Sequence, residues 1–215
     1  MRIILISVLF IPFIIFSQGY YQDFGSWTKS KFNFKVNKDL SLRNKTELRT
    51  NENAKEINQF YTQFSIKKKF NKHISNSIAY RIKSMNREFG YITENRFHHD
   101  FTYKTKLKDL SFYIRFRTQY NIIPNELNEL YERTRFKINF KLNKKIKIYW
   151  YDEFFFKLFH MQNDVIHNKN RMGTGIEFKL NKKLDLEFKY LRIKEISIEN
   201  PRIMNVLGSV ISFNF

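Results

Sequence analysis

N-V-L-G-S-V-I-S-F-N-F, the run from Asn205 to Phe215, alternates at period two. Leu207, Ser209, Ile211, Phe213 and Phe215 share one face, and Val206, Gly208, Val210, Ser212 and Asn214 share the other. This predicts a β-strand with one strongly apolar face. The same period runs upstream. Leu40, Leu42, Thr46 and Leu48 oppose Arg43, Lys45, Glu47 and Arg49, while Leu110, Phe112, Ile114 and Phe116 oppose Tyr113, Arg115, Arg117 and Gln119. Phe136, Ile138, Phe140 and Leu142 likewise oppose Arg135, Lys137, Asn139 and Lys141. The expected sheet is therefore apolar on one side and charged on the other.

Turn signals set the register. Asn37-Lys38-Asp39, Asn71-Lys72-His73, Leu107-Lys108-Asp109, Asn143-Lys144-Lys145 and Asn181-Lys182-Lys183 recur at spacings of 34, 36, 36 and 38 residues, which is a hairpin repeat. Each is read as a three-residue loop. Opposed residues across an antiparallel pair share a face, so counting outward from Asn143 pairs Phe140 with Ile148, Ile138 with Trp150, and Arg135 with Glu153. Longer polar connections separate the hairpins: Thr50 to Ile57, Met85 to Tyr91, Asn121 to Asn128, Phe159 to Asn170, and Lys194 to Pro201. Pro124 and Pro201 fall in them, where no ladder hydrogen bond is lost. Short turns alternating with longer loops is the asymmetry of a membrane barrel, with periplasmic turns and extracellular loops. The predicted fold is all-β, a closed antiparallel transmembrane β-barrel. Eleven strands can be counted from Trp27 onward. A barrel with both termini in the periplasm needs an even number, so the expectation is about 12 strands if Tyr20 to Phe24 reverses at Gly25-Ser26, or 10 if the first strand stays outside the sheet.

Arg2 precedes an apolar run from Ile3 to Phe16, interrupted by Ser7 and Pro12 and followed by Ser17. That pattern predicts a signal peptide over residues 1–17, with the barrel occupying 18–215; a retained anchor is the alternative, although the run is short for a spanning helix. Export through such a leader, taken with the barrel reading, predicts the outer membrane of a Gram-negative-type cell as the location. The 215 residues contain no Cys, which excludes disulfides and thiolate metal sites, and carry a formal net charge of +19. Export argues against nucleic acid as the partner of that charge. Membrane lipid, the barrel-insertion machinery and an anionic small molecule in the lumen are the partners expected of a monomeric barrel, with no cofactor and no metal.

Four short patterns carry a family resemblance: Asp23-Phe24-Gly25-Ser26-Trp27 after the leader, Glu47-Leu48-Arg49, Glu94-Asn95-Arg96-Phe97-His98, and Arg171-Met172-Gly173. With these the chain resembles an uncharacterised family of single-domain outer-membrane β-barrels that have an early D-x-G-x-W, Glu and Arg paired on strands, and an apolar last strand. The resemblance implies a fold and a compartment, and no activity. The final strand also resembles the closing strand of bacterial barrels, whose terminal aromatic is read during insertion. Phe213 and Phe215 are therefore the expected assembly signal.

The charged face supplies the candidate site: Glu47, Arg49, Glu94, Arg96, His98, Asp100, Arg115, Arg117, Arg135, Glu153, Arg171, Glu177 and Glu187, accompanied by Arg43, Arg81 and Arg133. In a narrow barrel such residues converge on the lumen. One reading is a basic, mostly plugged lumen with a structural, binding or slow-permeation role; another is an anion-selective passage. Glu177 and Glu187, neighbours across the Asn181 turn, are expected to accept from Arg171 or Lys189. His98-His99-Asp100 raises an outer-membrane lipid-modifying enzyme of the acyl hydrolase type as an alternative, but no catalytic residue is assigned, because the apolar face beside His99 offers Phe112, Ile114, Phe116 and Thr118 and no serine. A soluble exported β protein binding polyanions is the remaining alternative. Gly173 and Gly175 face inward, where they make room for a ligand, permit curvature, or accommodate Tyr151 or Phe155. His160, His167 and Asp164 are too loosely spaced to name as a metal site.

Overall fold

Strands that are charged on one face and apolar on the other are stable when the charged face is enclosed and every edge is paired. The computed structural model describes residues 21–87, 90–158, 167–196 and 201–215 and has this arrangement. The signal peptide expected at 1–17, and residues 18–20, lie outside the described residues. The strands are β1 (Tyr21–Lys35), β2 (Leu40–Asn51), β3 (Glu56–Lys69), β4 (Ile74–Arg87), β5 (Gly90–Leu107), β6 (Leu110–Ile122), β7 (Glu129–Lys141), β8 (Ile146–Lys157), β9 (His167–Lys179), β10 (Leu184–Glu195) and β11 (Arg202–Asn214). They close into one barrel in the order β1-β11-β10-β9-β8-β7-β6-β5-β4-β3-β2.

The closed all-β barrel is the fold expected, its strand number falls between the 10 and 12 considered, and it is mixed where a wholly antiparallel sheet was expected. Among the described residues eleven strands form the sheet, and β1 pairs with β11 in parallel, from Tyr21 opposite Arg202 to Asn33 opposite Asn214. No reversal occurs at Gly25-Ser26. The Ser26 N–H donates to Thr50 Oγ1 at 2.9 Å, which keeps β1 running straight alongside β2. Ten hairpins in series leave the first and last strands pointing the same way. Joining them in parallel is then the arrangement that leaves no open edge. Consequently Tyr21 lies at the end of the barrel that carries the longer connections and Phe215 at the end that carries the short turns.

Four of the five turns share one construction. The side-chain Oδ1 of Asn37, Asn71, Asn143 and Asn181 accepts the N–H groups two and three residues ahead at 2.8 or 2.9 Å. The preceding residue closes the turn, as when the Leu142 N–H donates to the Ile146 carbonyl at 3.1 Å. Asparagine suits this position because its side-chain oxygen imitates a backbone acceptor. The fifth turn differs: Leu107 pairs with Leu110, and Lys108 takes φ +50° in a two-residue reversal. The loop end is tighter than expected in two places. β2 and β3 come within residues 52–55 of each other, and β4 and β5 extend into the connection expected at Met85 to Tyr91 until Arg87 pairs with Gly90. Large parts of the connections 159–170 and 194–201 lie outside the described residues, among them His160 and Asp164.

Pairing outward from Asn143 places Phe140 opposite Ile148, Ile138 opposite Trp150 and Arg135 opposite Glu153, as the turn register predicts. Phe64, Ile78, Phe97, Phe116, Phe136, Phe188 and Leu207 stand exposed on the outer face. Polar groups that share this face bond one another: Thr118 Oγ1 donates to Glu132 at 2.5 Å, Asn170 Nδ2 to Asp152 at 2.7 Å, and the Tyr80 and Tyr190 hydroxyls to Asn95 and Asn205 at 2.6 Å. Inside, Trp27, Tyr149, Tyr151, Leu191, Ile193 and Val206 form a small apolar core against one wall.

Candidate functional site in the lumen

The inward face of β8 carries Tyr149, Tyr151, Glu153 and Phe155, and cations of β7 lie across them. Arg133 stands over the Phe155 ring at 4.1 Å, Arg135 over Tyr151 at 4.4 Å and Lys137 over Tyr149 at 3.9 Å. Such contacts hold a cation whose water has been stripped away. The rings can lie flat because β9 places Gly175 opposite Tyr149 and Gly173 opposite Tyr151. A methyl at Gly173 would come within 2.5 Å of the Tyr151 ring. Of the roles considered for this glycine pair, accommodating a large neighbour matches the observed packing.

Glu153 is fully buried and sits at the centre of four guanidiniums. Arg115 donates to it at 2.5 Å, Arg133 at 2.8 Å and Arg135 at 2.7 Å, with Arg171 at 3.7 Å. The cross-strand register sets Arg115 opposite Arg135 and Arg117 opposite Arg133, and like charges so placed repel. Glu153 offsets one side of this array and Asp100 the other, taking both Arg117 Nε at 2.6 Å and Nη2 at 2.8 Å in a two-point contact.

The remaining carboxylates are held in the same manner. Glu47 pairs with Lys29 and Arg49, and the Arg49 guanidinium lies 3.6 Å over Trp27. Glu94 binds Lys83 and Arg96, each at 2.7 Å. Glu187 accepts from the Tyr149 hydroxyl at 2.7 Å and Lys31 at 3.2 Å, with Lys189 at 3.9 Å. Glu177 stands directly opposite Glu187, yet it pairs with Lys147 at 2.5 Å. Arg171, expected to reach these two, is drawn to Glu153. All thirteen candidate residues thus face inward, but Glu177 lies apart from the central network. His98 is 5% exposed inside the barrel, whereas His99 faces out. Thr118 stands opposite His99 and donates its hydroxyl hydrogen bond to Glu132. His167 opens β9 against the Phe154 and Phe156 rings, and no metal-binding group occurs among the described residues.

Lys29, Lys83, Tyr61 and Tyr149 were not singled out from the sequence, and Lys45 and Lys137 were placed on the charged face without being counted in the site. Alternation gave the signal for Lys45 and Lys137, which share a face with named arginines. A cavity of about 560 Å³ runs inside the barrel from Arg87 and Glu126 at the loop end to Lys31, Lys137 and Glu187 toward the turns. Among the described residues its lining counts seventeen Lys and Arg against four Glu. Glu47 and Glu153 are not part of that lining. They lie behind the cations and hold them toward the void.

Residues 24–202 match the family described as "Protein of unknown function (DUF2490)". The chain belongs to this family. No curated protein matches it. Among solved structures the barrel is similar to the NanC porin, with a TM-score of 0.53 and 12% sequence identity over 85% of this chain and 93% of that one. At that identity the likeness is one of fold. The early Asp23-x-Gly25-x-Trp27 pattern has a structural reading here. The Asp23 carboxylate accepts the N–H groups of Phe24 at 2.7 Å, Glu52 at 3.3 Å and Asn53 at 3.0 Å. It thereby ties β1 to the β2–β3 connection, in which Glu52, Asn53 and Ala54 all take positive φ. Trp27, two positions beyond Gly25, is the shelf for Arg49.

Proposed function

We propose that this barrel sits in the outer membrane and that its lumen is a cationic, largely filled chamber that binds small anions and lets them pass slowly. The observation that carries this reading is the lining of the cavity: Lys and Arg face the void, while the most deeply buried carboxylates stand behind them. A structural plug would balance its charges, because each unpaired charge removed from water is costly. Here the cations exceed the carboxylates, so the wall carries a standing positive potential that favours anions. The exposed apolar outer face and the porin-like fold support membrane placement. Liposome swelling tests the reading. Vesicles containing the barrel should swell faster in a small carboxylate than in a neutral sugar of equal size; equal rates would count against it.

A further inference from the structure

The two walls of the lumen are not charged alike. On β6 to β9 four guanidiniums share Glu153, whereas Arg43 and Lys45 of β2 and Arg81 of β4 enter no ion pair with a carboxylate among the described residues, unlike their neighbours Arg49 and Lys83. Lys45 makes no hydrogen bond or ion pair among the described residues, and the charged groups that bear most strongly on it, Lys29, Arg81, Arg117 and Arg43, are all cations. Arg43 donates to Asn33 Oδ1 at 2.5 Å and enters no ion pair among the described residues, Asp100 being the carboxylate that acts on it from a distance. Arg81 lies 3.8 Å over the Tyr61 ring and spends two N–H groups on one neutral oxygen, Gln63 Oε1, at 2.7 and 3.1 Å. The strand register brings these groups together. Lys45 faces Gln63, Gln63 faces Arg81, and Arg43 faces Ser65, whose own neighbour is Ala79. Short side chains at Ser65 and Ala79 give the long cations nothing bulky to pack on. Opposite Ala79 is His98, 5% exposed, with Nδ1 buried and unpartnered.

We propose that Arg43, Lys45 and Arg81 form a binding site for a dianionic oxyanion of the phosphate type, free or as a monoester, with His98 Nδ1 as a further polar contact. This deepens the anion-chamber reading and rests on it. Three cations without carboxylates call for more than one negative charge. Two guanidinium forks and an ammonium match an array of several oxygens better than they match a single halide. Occupancy would relieve the repulsion around Lys45, so the ligand should stabilise the fold by mass action.

The test uses the full barrel in detergent micelles. Inorganic phosphate, glucose 6-phosphate and chloride are each titrated at constant ionic strength, with calorimetry and the thermal midpoint as readouts. Saturable binding of phosphate well above chloride is expected. The monoester arm decides the source: tighter binding of glucose 6-phosphate points to an esterified ligand, tighter binding of inorganic phosphate to the free ion. Lys45→Gln and Arg81→Gln should each weaken the bound form about tenfold or more, the effect of losing one charged contact. Arg81→Lys should retain part of the binding, and Lys147→Gln, at the turn end, should retain all of it. If a Gln variant fails to fold, Arg81→Lys and the wild-type titrations still decide the matter. Phosphate no tighter than chloride, in a barrel that still prefers anions over cations, overturns this site alone. Loss of the anion preference itself overturns the chamber reading beneath it.

Discussion

Arg135 stands directly opposite Glu153 on the neighbouring strand and donates to its carboxylate at 2.7 Å. Glu153 is fully buried, and three further arginines surround it. Removing its charge leaves those guanidiniums facing one another. Glu153→Gln should therefore destabilise the barrel by about 3 to 5 kcal/mol, the usual cost of orphaning a buried charge. Adding Arg135→Gln should recover part of that loss, since one repelling cation goes with it. Urea unfolding from bilayers measures both; additive losses would show that the two residues are not coupled.

The outer face makes a prediction that depends on depth. Phe136 lies midway along β7 and is exposed, while Phe140 lies next to the turn. In a membrane, Phe136→Arg should cost about 2 to 4 kcal/mol and Phe140→Arg about 0 to 1 kcal/mol. Lys141→Ala at the turn should be close to neutral. The same unfolding measurement ranks the three, and equal costs would refute the assignment of the faces.

Gly173 gives a packing prediction. Its missing side chain lets the Tyr151 ring lie flat beneath Arg135, and an added methyl would meet that ring at 2.5 Å and Leu191 at 2.9 Å. Gly173→Ala should cost about 1 to 3 kcal/mol by overpacking. Coupling it with Tyr151→Ala should remove most of the penalty, and a double-mutant cycle reads that difference directly.

Phe215 stacks on Phe34 at 5.1 Å, and Phe213 on Phe32 at 5.0 Å, both across the parallel seam. These aromatics thus help to close the barrel, apart from the role in assembly proposed for them. Deleting Phe215 should lower the amount of folded protein recovered from membranes. Phe34→Ala, which leaves the terminus intact, should lower stability while leaving assembly close to normal. Wild-type recovery of the truncated chain would remove the basis for a terminal signal.

The parts of this fold legible in the sequence are those governed by local chemistry. Asn143 fixes its turn with its own side chain, so the pairings that count outward from it, including Arg135 with Glu153, follow from a few neighbouring residues. β1 gave no such guide. Its Thr28-Lys29-Ser30-Lys31 run is polar on both faces, and its pairing with β11 joins the two ends of the chain, which no turn specifies. The convergence of Arg115, Arg133, Arg135 and Arg171 on one carboxylate was hidden for a related reason. Those arginines come from three strands, β6, β7 and β9, and only closure of the barrel brings them within reach. Lysine was hard to read because it populates both the turns and the lumen. Lys45 and Lys137 are distinguished from Lys38 and Lys144 by register alone.

The reversal potential of single barrels in a planar bilayer under a potassium chloride gradient tests the cationic chamber most directly. The account predicts small, steady currents carried mainly by chloride, with the preference reduced by Arg135→Gln. A bilayer that stays silent, or one whose current is carried mainly by potassium, would contradict it.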